Sequence, residues 1–206
     1  MLVKYILIVT LSYLIGNISC SYIISKFMYG TDIRTKGSKN AGTTNALRTF
    51  GFKAGFATFL GDYFKGTIAV LISAFIAEKL KIDIDLARYI SVIAVVCGHN
   101  WPVFLKFKGG KGVATTYGSL LAVAPLPTVF CMIFFMIVVG VTRYVSVGSM
   151  LGVFLFPILM FIRRDYMGVW VCIVLSILVV YKHRENIRKL INGNERRLEF
   201  KKEKSV

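Results

Sequence analysis

Long apolar segments alternate with short polar ones along most of the 206-residue chain. A helix needs about 20 apolar residues to cross about 30 Å of hydrocarbon. The first uncharged run, 5–25, has about this length, and further apolar runs follow at 54–77, 89–105, 113–142, 144–162 and 166–181. The pattern predicts an all-α fold, a polytopic membrane helical bundle in a single domain over residues 1–206.

The uncharged run 113–142 is too long for one simple crossing and contains prolines at 125 and 127. Proline ends or kinks a helix, so this run is either one long helix or two short ones broken at 124–127. Residues 113–124 would give only about 18 Å of helix. We expect a short or tilted element here, supported by its neighbours or by locally thinned lipid.

The composition supports a membrane protein and reduces the number of possible classes of function. Hydrophobic residues make up 56% of the chain and charged residues 17%, whereas soluble domains are about 25% charged. Disorder is excluded by this hydrophobicity, and the long apolar runs argue against a nucleic-acid partner. The formal net charge of +16 suits anionic lipid headgroups and phosphorylated substrates.

The distribution of lysine and arginine favours seven crossings over six. With seven, the loops 26–53 and 106–112, Arg143 and the tail 182–206 share one face and hold most of the basic residues. With six, the basic tail moves to the opposite face. Because basic residues concentrate in cytoplasmic loops, we expect the N-terminus outside and the C-terminus in the cytoplasm.

A first polar cluster lies in the loop 26–53, where small, hydroxyl and amide side chains precede an arginine. Glycines let backbone N–H groups converge on an anion, and an arginine can grip a phosphate with two hydrogen bonds. The alternative is a flexible loop of turn-forming residues. The candidate phosphate-binding residues are Gly37, Ser38, Asn40, Gly42, Thr44, Asn45 and Arg48.

A second cluster, at 97–112, ends in a glycine-flanked lysine before an apolar run. It is not a Walker A loop, because Gly112 stands where Ser or Thr should be. N–H groups and the Lys111 charge could still cradle a phosphate, the alternative being a basic turn on anionic lipid. For His99, a hydrogen-bonding role in fixing this turn is favoured over catalysis. The candidates are His99, Gly109, Gly110, Lys111 and Gly112.

The third cluster, at 183–195, contains His183, Asn186 and Glu195. His183 and Asn186 are i,i+3 neighbours that would share a helix face, so one could be a base and the other an orienting donor. The alternative is an amphipathic helix at the membrane surface with basic anchors.

An ionisable pair, Asp62 and Lys65, lies inside the second apolar run. Charges are costly in hydrocarbon, so these side chains should face the bundle interior and pair, either as a structural ion pair or as a substrate contact. No His, Cys and carboxylate set has zinc spacing, and neither a metal nor a cofactor is expected.

Four motifs occur in order between the apolar runs: GSKNAGTTNALRTFG, DYFKG, GHNWPVFLKFKGGKGVAT and HRENIRKLINGNE. Together they closely resemble the bacterial membrane acyl-phosphate:glycerol-3-phosphate acyltransferases, from the first span to about Glu195. Lys39 departs from this resemblance because many members have glycine there. Asn194 departs because a small hydroxyl residue is common at its position.

The resemblance implies transfer of a fatty acyl group from acyl phosphate to the sn-1 hydroxyl of glycerol 3-phosphate. The products would be lysophosphatidic acid and inorganic phosphate, in the first acylation of phospholipid synthesis. It implies a multi-pass protein of the bacterial cytoplasmic (inner) membrane, surrounded by membrane lipid, with its active site facing the cytoplasm. The oligomeric state stays open, and a monomer is compatible with the pattern.

The resemblance gives Ser38, Arg48, His183 and Asn186 essential roles, and we add Lys111 as a second cation for phosphate charge. We expect direct attack of the glycerol hydroxyl on the acyl carbon, with either His183 or the donor's own phosphate accepting the proton. Holding the reactants together can supply about 7–11 kcal/mol. A transporter of organic phosphates or a membrane scaffold are the rival functions, but no internal repeat is visible.

Overall fold

The computed structural model describes residues 1–198, which form ten α-helices and two 3₁₀ turns with no β-strand. The all-α prediction is confirmed for this part of the chain, and residues 199–206 of the predicted basic tail lie outside the described residues. The helices are α1 (Leu2–Gly16), α2 (Cys20–Tyr29), α3 (Thr43–Phe50), α4 (Phe52–Lys79), α5 (Ile84–Asn100), α6 (Val113–Leu121), α7 (Pro125–Thr142), α8 (Val145–Ile162), α9 (Tyr166–Lys182) and α10 (Arg184–Ile191), and the 3₁₀ turns are Ile33–Thr35 and Val103–Leu105.

Within residues 1–198, four helical segments are long and apolar enough to cross a membrane: Leu2–Tyr29, Phe52–Lys79, Pro125–Thr142 and Val145–Ile162. Counting α9 with α10, which meet at a bend of 59°, would add a fifth. Helix α5 has 17 residues and α6 only nine, or about 14 Å for α6. The seven predicted crossings therefore stay a prediction.

The first apolar run is one membrane-length segment made of two helices rather than one continuous helix. Asn17, at the break, uses its side chain to satisfy one backbone group in α1 and one in the loop after α5. Its Nδ2 donates to Tyr13 O (2.6 Å), and its Oδ1 accepts from Val103 N (2.5 Å). This side chain anchors the loop after α5 to the end of α1.

The predicted polar loop 26–53 is partly helical, which corrects the sequence interpretation. Helix α2 continues to Tyr29, and α3 occupies Thr43–Phe50. Leu47 packs directly on Gly55 of α4, where an added Cβ would lie 2.6 Å from the Leu47 Cβ. The apolar side of this short helix was hidden among the glycines and polar residues around it.

Helix α5 begins at Ile84, five residues before the predicted start of its run. The Asp83 side chain caps it by accepting a hydrogen bond from Leu86 N (2.9 Å), and Arg88 pairs with Asp85 (3.3 Å). The charges that ended the apolar run therefore belong to the first turns of the helix. In the run 113–142, two helices form, because α7 begins at Pro125, a favourable first helical position.

Close helix packing holds the loops of the bundle at fixed positions. Gly16 of α1 lies against α5, and a Cβ there would be 2.3 Å from Val95 O; small residues permit such backbone approach in membrane helices. Ser12 links three helices through hydrogen bonds to Ser73 (3.1 Å) and Ser91 (2.8 Å). The main apolar core draws on α4 to α9, with Leu120, Phe156 and Leu175 fully buried.

Candidate active site

Asn45 organises the first glycine-rich loop. The Nδ2 of its buried side chain shares two N–H donors among three carbonyl oxygens, those of Ile33 (3.3 Å), Lys36 (3.1 Å) and Asn40 (3.0 Å). Its Oδ1 accepts from Ser38 N (2.9 Å) and lies 3.4 Å from the Thr49 hydroxyl. The amide therefore holds the loop together, and the substrate contact predicted for Asn45 stays a prediction.

The loop that Asn45 holds leads into the N-terminus of α3. Gly37 and Lys39 have positive φ angles of 56° and 59°, and Gly42 precedes the first helical residue. The first N–H groups of a helix have no partner within the helix, so the first turn, which includes Thr44, offers donors to an anion. Ser38 is exposed beside this turn.

The second glycine-rich loop lies directly against the first. Gly110 N donates to His99 O (3.1 Å). A Cβ on Gly110 would lie 2.1 Å from His99 Nε2 and 2.6 Å from Ala41 O, and one on Gly109 would lie 2.1 Å from His99 O. Only glycine fits here, so the loops 37–42 and 109–112 meet at His99. Gly112, with φ 79°, is the N-cap residue that precedes α6.

Lys111 joins the second loop to the C-terminal region through a chain of polar contacts. Its Nζ donates to Asn186 Oδ1, and Asn186 Nδ2 donates to Glu195 Oε1 (2.7 Å). The same carboxylate oxygen accepts from Ser146 Oγ (2.9 Å) at the start of α8. Arg48 contacts this region as well, donating from Nη2 to Arg196 O (2.9 Å).

Burial lowers the pKa of the Lys111 ammonium to about 8. The carboxylates of Glu195 and Glu185 raise this pKa in part, and the positive charges of Lys189 and Arg48 lower it. Lys111 is therefore cationic at neutral pH, in a region that already contains other positive charge. An anionic group bound beside it would relieve this repulsion.

His183 lies at the bend between α9 and α10 and is 3% exposed. Burial, followed by the charge of Lys111, lowers its pKa to about 3, although a hydrogen bond to Val179 raises it. The imidazole is therefore neutral at pH 7. Because its Nδ1 lies 2.8 Å from Val179 O, which can only accept, Nδ1 carries the proton and Nε2 is left with a free lone pair.

Asp62 and Lys65 pair inside the bundle, as predicted. Lys65 Nζ lies 2.8 Å from Asp62 Oδ1, and both side chains are nearly fully buried. The ammonium also donates to Ile18 O (2.5 Å) and contacts His99 Nδ1 (2.9 Å). This pair stands behind His99 rather than at the surface of the two loops.

The three clusters predicted from sequence thus converge at one end of the bundle. Two residues of this region were not predicted from the sequence. Ser146 has no local sequence signal. Lys182, whose Nζ donates to Asn100 O (2.9 Å), could have been identified from its position beside His183. Within residues 1–198, no group of three or more His, Cys, Asp or Glu side chains could hold a metal ion.

An apolar groove of about 320 Å³ lies between α7 and α8. The two helices join at a corner that carries Ser146, the partner of Glu195. The helices that form the groove therefore also contribute, at their junction, a residue that contacts the polar site. Its lining consists of Phe130, Ile133, Phe134, Ile137, Leu155 and Leu159.

Known proteins resemble the chain over nearly its whole length. A family profile described as glycerol-3-phosphate acyltransferase matches residues 6–193. The glycerol-3-phosphate acyltransferase of Clostridioides difficile (strain 630) is 52% identical over 97% of this chain and 98% of its own length. The glycerol-3-phosphate acyltransferase of Bacillus subtilis (strain 168) is 40% identical over 94% of this chain and 97% of its own length.

Two crystal structures of an integral membrane glycerol 3-phosphate acyltransferase, PlsY (YgiH), share the fold at 35% identity. The glycerol 3-phosphate form superposes with a TM-score of 0.86 over 95% of this chain and 96% of that one. The lysophosphatidic acid form gives 0.84 over 95% of each chain. With its converging polar clusters and apolar helices, the chain belongs to the glycerol-3-phosphate acyltransferase family of multi-pass membrane enzymes.

Proposed function

We propose that this acyltransferase takes its acyl group from acyl phosphate and transfers it to the sn-1 hydroxyl of glycerol 3-phosphate. The products are lysophosphatidic acid and inorganic phosphate, as the first acylation of phospholipid synthesis. The observation that carries the proposal is the contact of Lys111 with Asn186, since it joins two motifs that each offer groups to a phosphate. Two phosphate-bearing reactants require such a doubled site.

Two phosphate cradles are available where the glycine-rich loops meet. One is the first turn of α3, with Ser38 beside it and Arg48 on the same helix. The other is the first turn of α6, preceded by Lys111. Each combines free N–H groups with a cation. The carboxylate of Glu195 holds Asn186 and Ser146 and sets the charge balance around Lys111.

The chemical step is direct attack of the hydroxyl oxygen on the acyl carbon. The new ester C–O bond forms as the C–O bond to phosphate breaks, and the departing phosphate takes the hydroxyl proton. His183 has a pKa of about 3, so it is a poor proton acceptor at neutral pH, whereas a phosphate with a second pKa near ~6 is a better one. His183 Nε2 orients glycerol 3-phosphate by accepting a hydrogen bond from its neighbouring sn-2 hydroxyl, which leaves the sn-1 hydroxyl proton for the phosphate.

The acyl chain stays in the apolar groove between α7 and α8 while its phosphate reaches the polar site. Seven crossings of the bacterial inner membrane put this site in the cytoplasm, with the N-terminus outside. Contacts at the opposite end of the bundle support this arrangement, since Lys4 Nζ donates to Leu80 O (2.8 Å) and Tyr89 to Asp165. Helix α6 crosses despite its length because neighbouring helices enclose it.

Radiolabelled glycerol 3-phosphate, added to vesicles that contain the purified protein, tests the reaction. We expect lipid-soluble label that requires acyl phosphate and is not formed when acyl-CoA replaces it. Label trapped inside the vesicles without conversion would instead indicate a transporter. No label in either fraction would contradict both functions.

A pH–rate profile of wild type and of the His183→Ala variant tests the assignment of the base. Because the donor phosphate takes the proton, the residual activity of the variant should keep the limb near neutrality that wild type shows. Loss of that limb in the variant would identify His183 as the base.

A further inference from the structure

The buried ammonium of Lys65 fixes the tautomer of His99. An ammonium has three N–H donors and no acceptor. Lys65 Nζ has three acceptors within reach: Asp62 Oδ1 (2.8 Å), Ile18 O (2.5 Å) and His99 Nδ1 (2.9 Å). Its donors and these acceptors match one to one, so His99 Nδ1 accepts a hydrogen bond and carries no proton.

The opposite tautomer does not fit this geometry. A proton on His99 Nδ1 would point at the Lys65 ammonium, and its nearest alternative acceptor, Asp62 Oδ1, is 3.7 Å away. That separation exceeds the length of a hydrogen bond. A doubly protonated imidazole would bring a second positive charge against Lys65. The proton of the neutral ring therefore resides on Nε2.

His99 Nε2 lies at the junction of the two glycine-rich loops. The Cβ position of Gly110 is 2.1 Å from this nitrogen and 2.6 Å from Ala41 O. His99 is 6% exposed, and among residues 1–198 its Nε2 has no hydrogen-bond partner. A polar N–H with no partner in a nearly buried place costs free energy unless a ligand accepts it.

We propose that the Asp62–Lys65 pair is a positioning device that keeps His99 in its Nε2–H form, so that this N–H donates to a substrate phosphate oxygen between the two loops. This inference rests on the proposed function, because it needs a phosphate-bearing substrate at these loops. It gives the two histidines opposite tasks. His183 Nε2 accepts, whereas His99 Nε2–H donates.

The chain contains only two histidines, so ¹⁵N-histidine labelling gives four ring-nitrogen signals in an NMR spectrum of the purified protein. His99→Gln and His183→Gln variants assign them by the loss of signals. We expect the proton on Nε2 in His99 and on Nδ1 in His183. A spectrum with Nδ1–H or doubly protonated His99 would overturn the proposal whether or not the protein transfers acyl groups.

Two perturbations then test the device itself. Glycerol 3-phosphate should shift the His99 Nε2 signal, as should inorganic phosphate at higher concentration, and saturation without any shift would overturn the proposal. In Lys65→Met, His99 should lose its fixed Nε2–H form, whereas Lys79→Met, at the exposed end of the same helix, should leave it intact. An unchanged His99 in Lys65→Met would contradict the role of the ion pair.

Activity gives a matched comparison at the same position. A glutamine amide can place its N–H near the former Nε2, but an asparagine amide only near Nδ1. His99→Asn should lower kcat/KM by roughly 10- to 100-fold, chiefly through KM, as expected for a lost hydrogen bond to a charged group. His99→Gln should keep a higher kcat/KM than His99→Asn. Equal losses in both variants would contradict donation from Nε2.

Discussion

Lys111 Nζ donates a hydrogen bond to Asn186 Oδ1 across 75 residues of sequence. The contact fastens the loop before α6 to α10, the short helix beyond the bend at His183. Because Asn186 in turn binds Glu195, the charge of the lysine is coupled to a carboxylate at the end of the chain's last motif. The ionisation of Lys111 is therefore a sensitive measure of the whole site.

Activity should decline on the alkaline side as Lys111 loses its proton. Its pKa of about 8 means that the ammonium is present below this pH and lost above it. Phosphate groups titrate lower, near ~6, and do not add to this limb. We expect log kcat/KM to fall with unit slope above about pH 8.

Variants of Lys111 check the origin of the alkaline limb. In Lys111→Arg, the guanidinium has a pKa above ~12 and keeps its charge. The alkaline limb of this variant should therefore move out of the measured pH range. Lys111→Ala should lose about 100- to 1000-fold in kcat/KM, the usual effect of removing one donor from developing charge. An alkaline limb that is unchanged in Lys111→Arg would contradict the assignment.

Glu195→Gln should move the alkaline limb to lower pH. The Glu195 carboxylate raises the pKa of Lys111, so replacing that carboxylate with a neutral amide lowers the pKa. Ser146→Ala removes a hydrogen bond to the same carboxylate but not its charge, and its limb should stay in place. An alkaline limb that stays at the same pH or moves to higher pH in Glu195→Gln would contradict this coupling.

Lys39→Gly should stabilise the protein. Lys39 has a φ of 59°, a left-handed conformation that costs a side chain about 1–2 kcal/mol. Glycine also has more conformational entropy than lysine in the unfolded chain, which offsets about 0.4–1 kcal/mol of the stabilisation. A net gain near ~1 kcal/mol corresponds to a rise of about 2–4 °C in Tm.

The matched control for Lys39→Gly is Lys36→Gly in the same loop. Lys36 has a φ of −116°, which any residue adopts, so this variant gains nothing and should lower Tm. Thermal unfolding in detergent, followed by intrinsic fluorescence, compares the two. Equal changes would rule out backbone strain at Lys39.

Direct attack predicts no acyl-enzyme intermediate. When enzyme is mixed with acyl phosphate labelled in its phosphate, rapid quenching should detect no burst of inorganic phosphate before glycerol 3-phosphate is added. Phosphate and lysophosphatidic acid should then form in equal amounts. A burst equal to the enzyme concentration would indicate covalent catalysis, and its loss in Ser38→Ala would identify the nucleophile.

Much of this site was accessible from sequence because its chemistry is carried by residue types that are unusual between apolar spans. Asp62 and Lys65 could be predicted to pair, since two charges inside hydrocarbon have few alternatives. Lys111 and Arg48 stood out as cations beside glycines. Their convergence could also be predicted, because the predicted seven crossings would put the loops that contain them on one membrane face.

Other features depend on contacts that no local pattern contains. The hydrogen bonds of Asn45 are one example, because only the folded loop brings together the carbonyl groups that its amide contacts. Ser146 lies in an ordinary apolar run and becomes important only through Glu195. The break of the first run at Asn17 was also hidden, because its side-chain partner is the distant Val103.

The central claim is that the three motif loops meet on one side of the membrane, and thiol accessibility measures it most directly. Single cysteines would replace Lys39, Lys108 and Arg184, with Lys81 for the opposite end, in a background without the four native cysteines. An impermeant reagent should label the first three from the same side of oriented vesicles and Lys81→Cys from the other. Labelling of any of the three loop positions from the side of Lys81→Cys would contradict a common site.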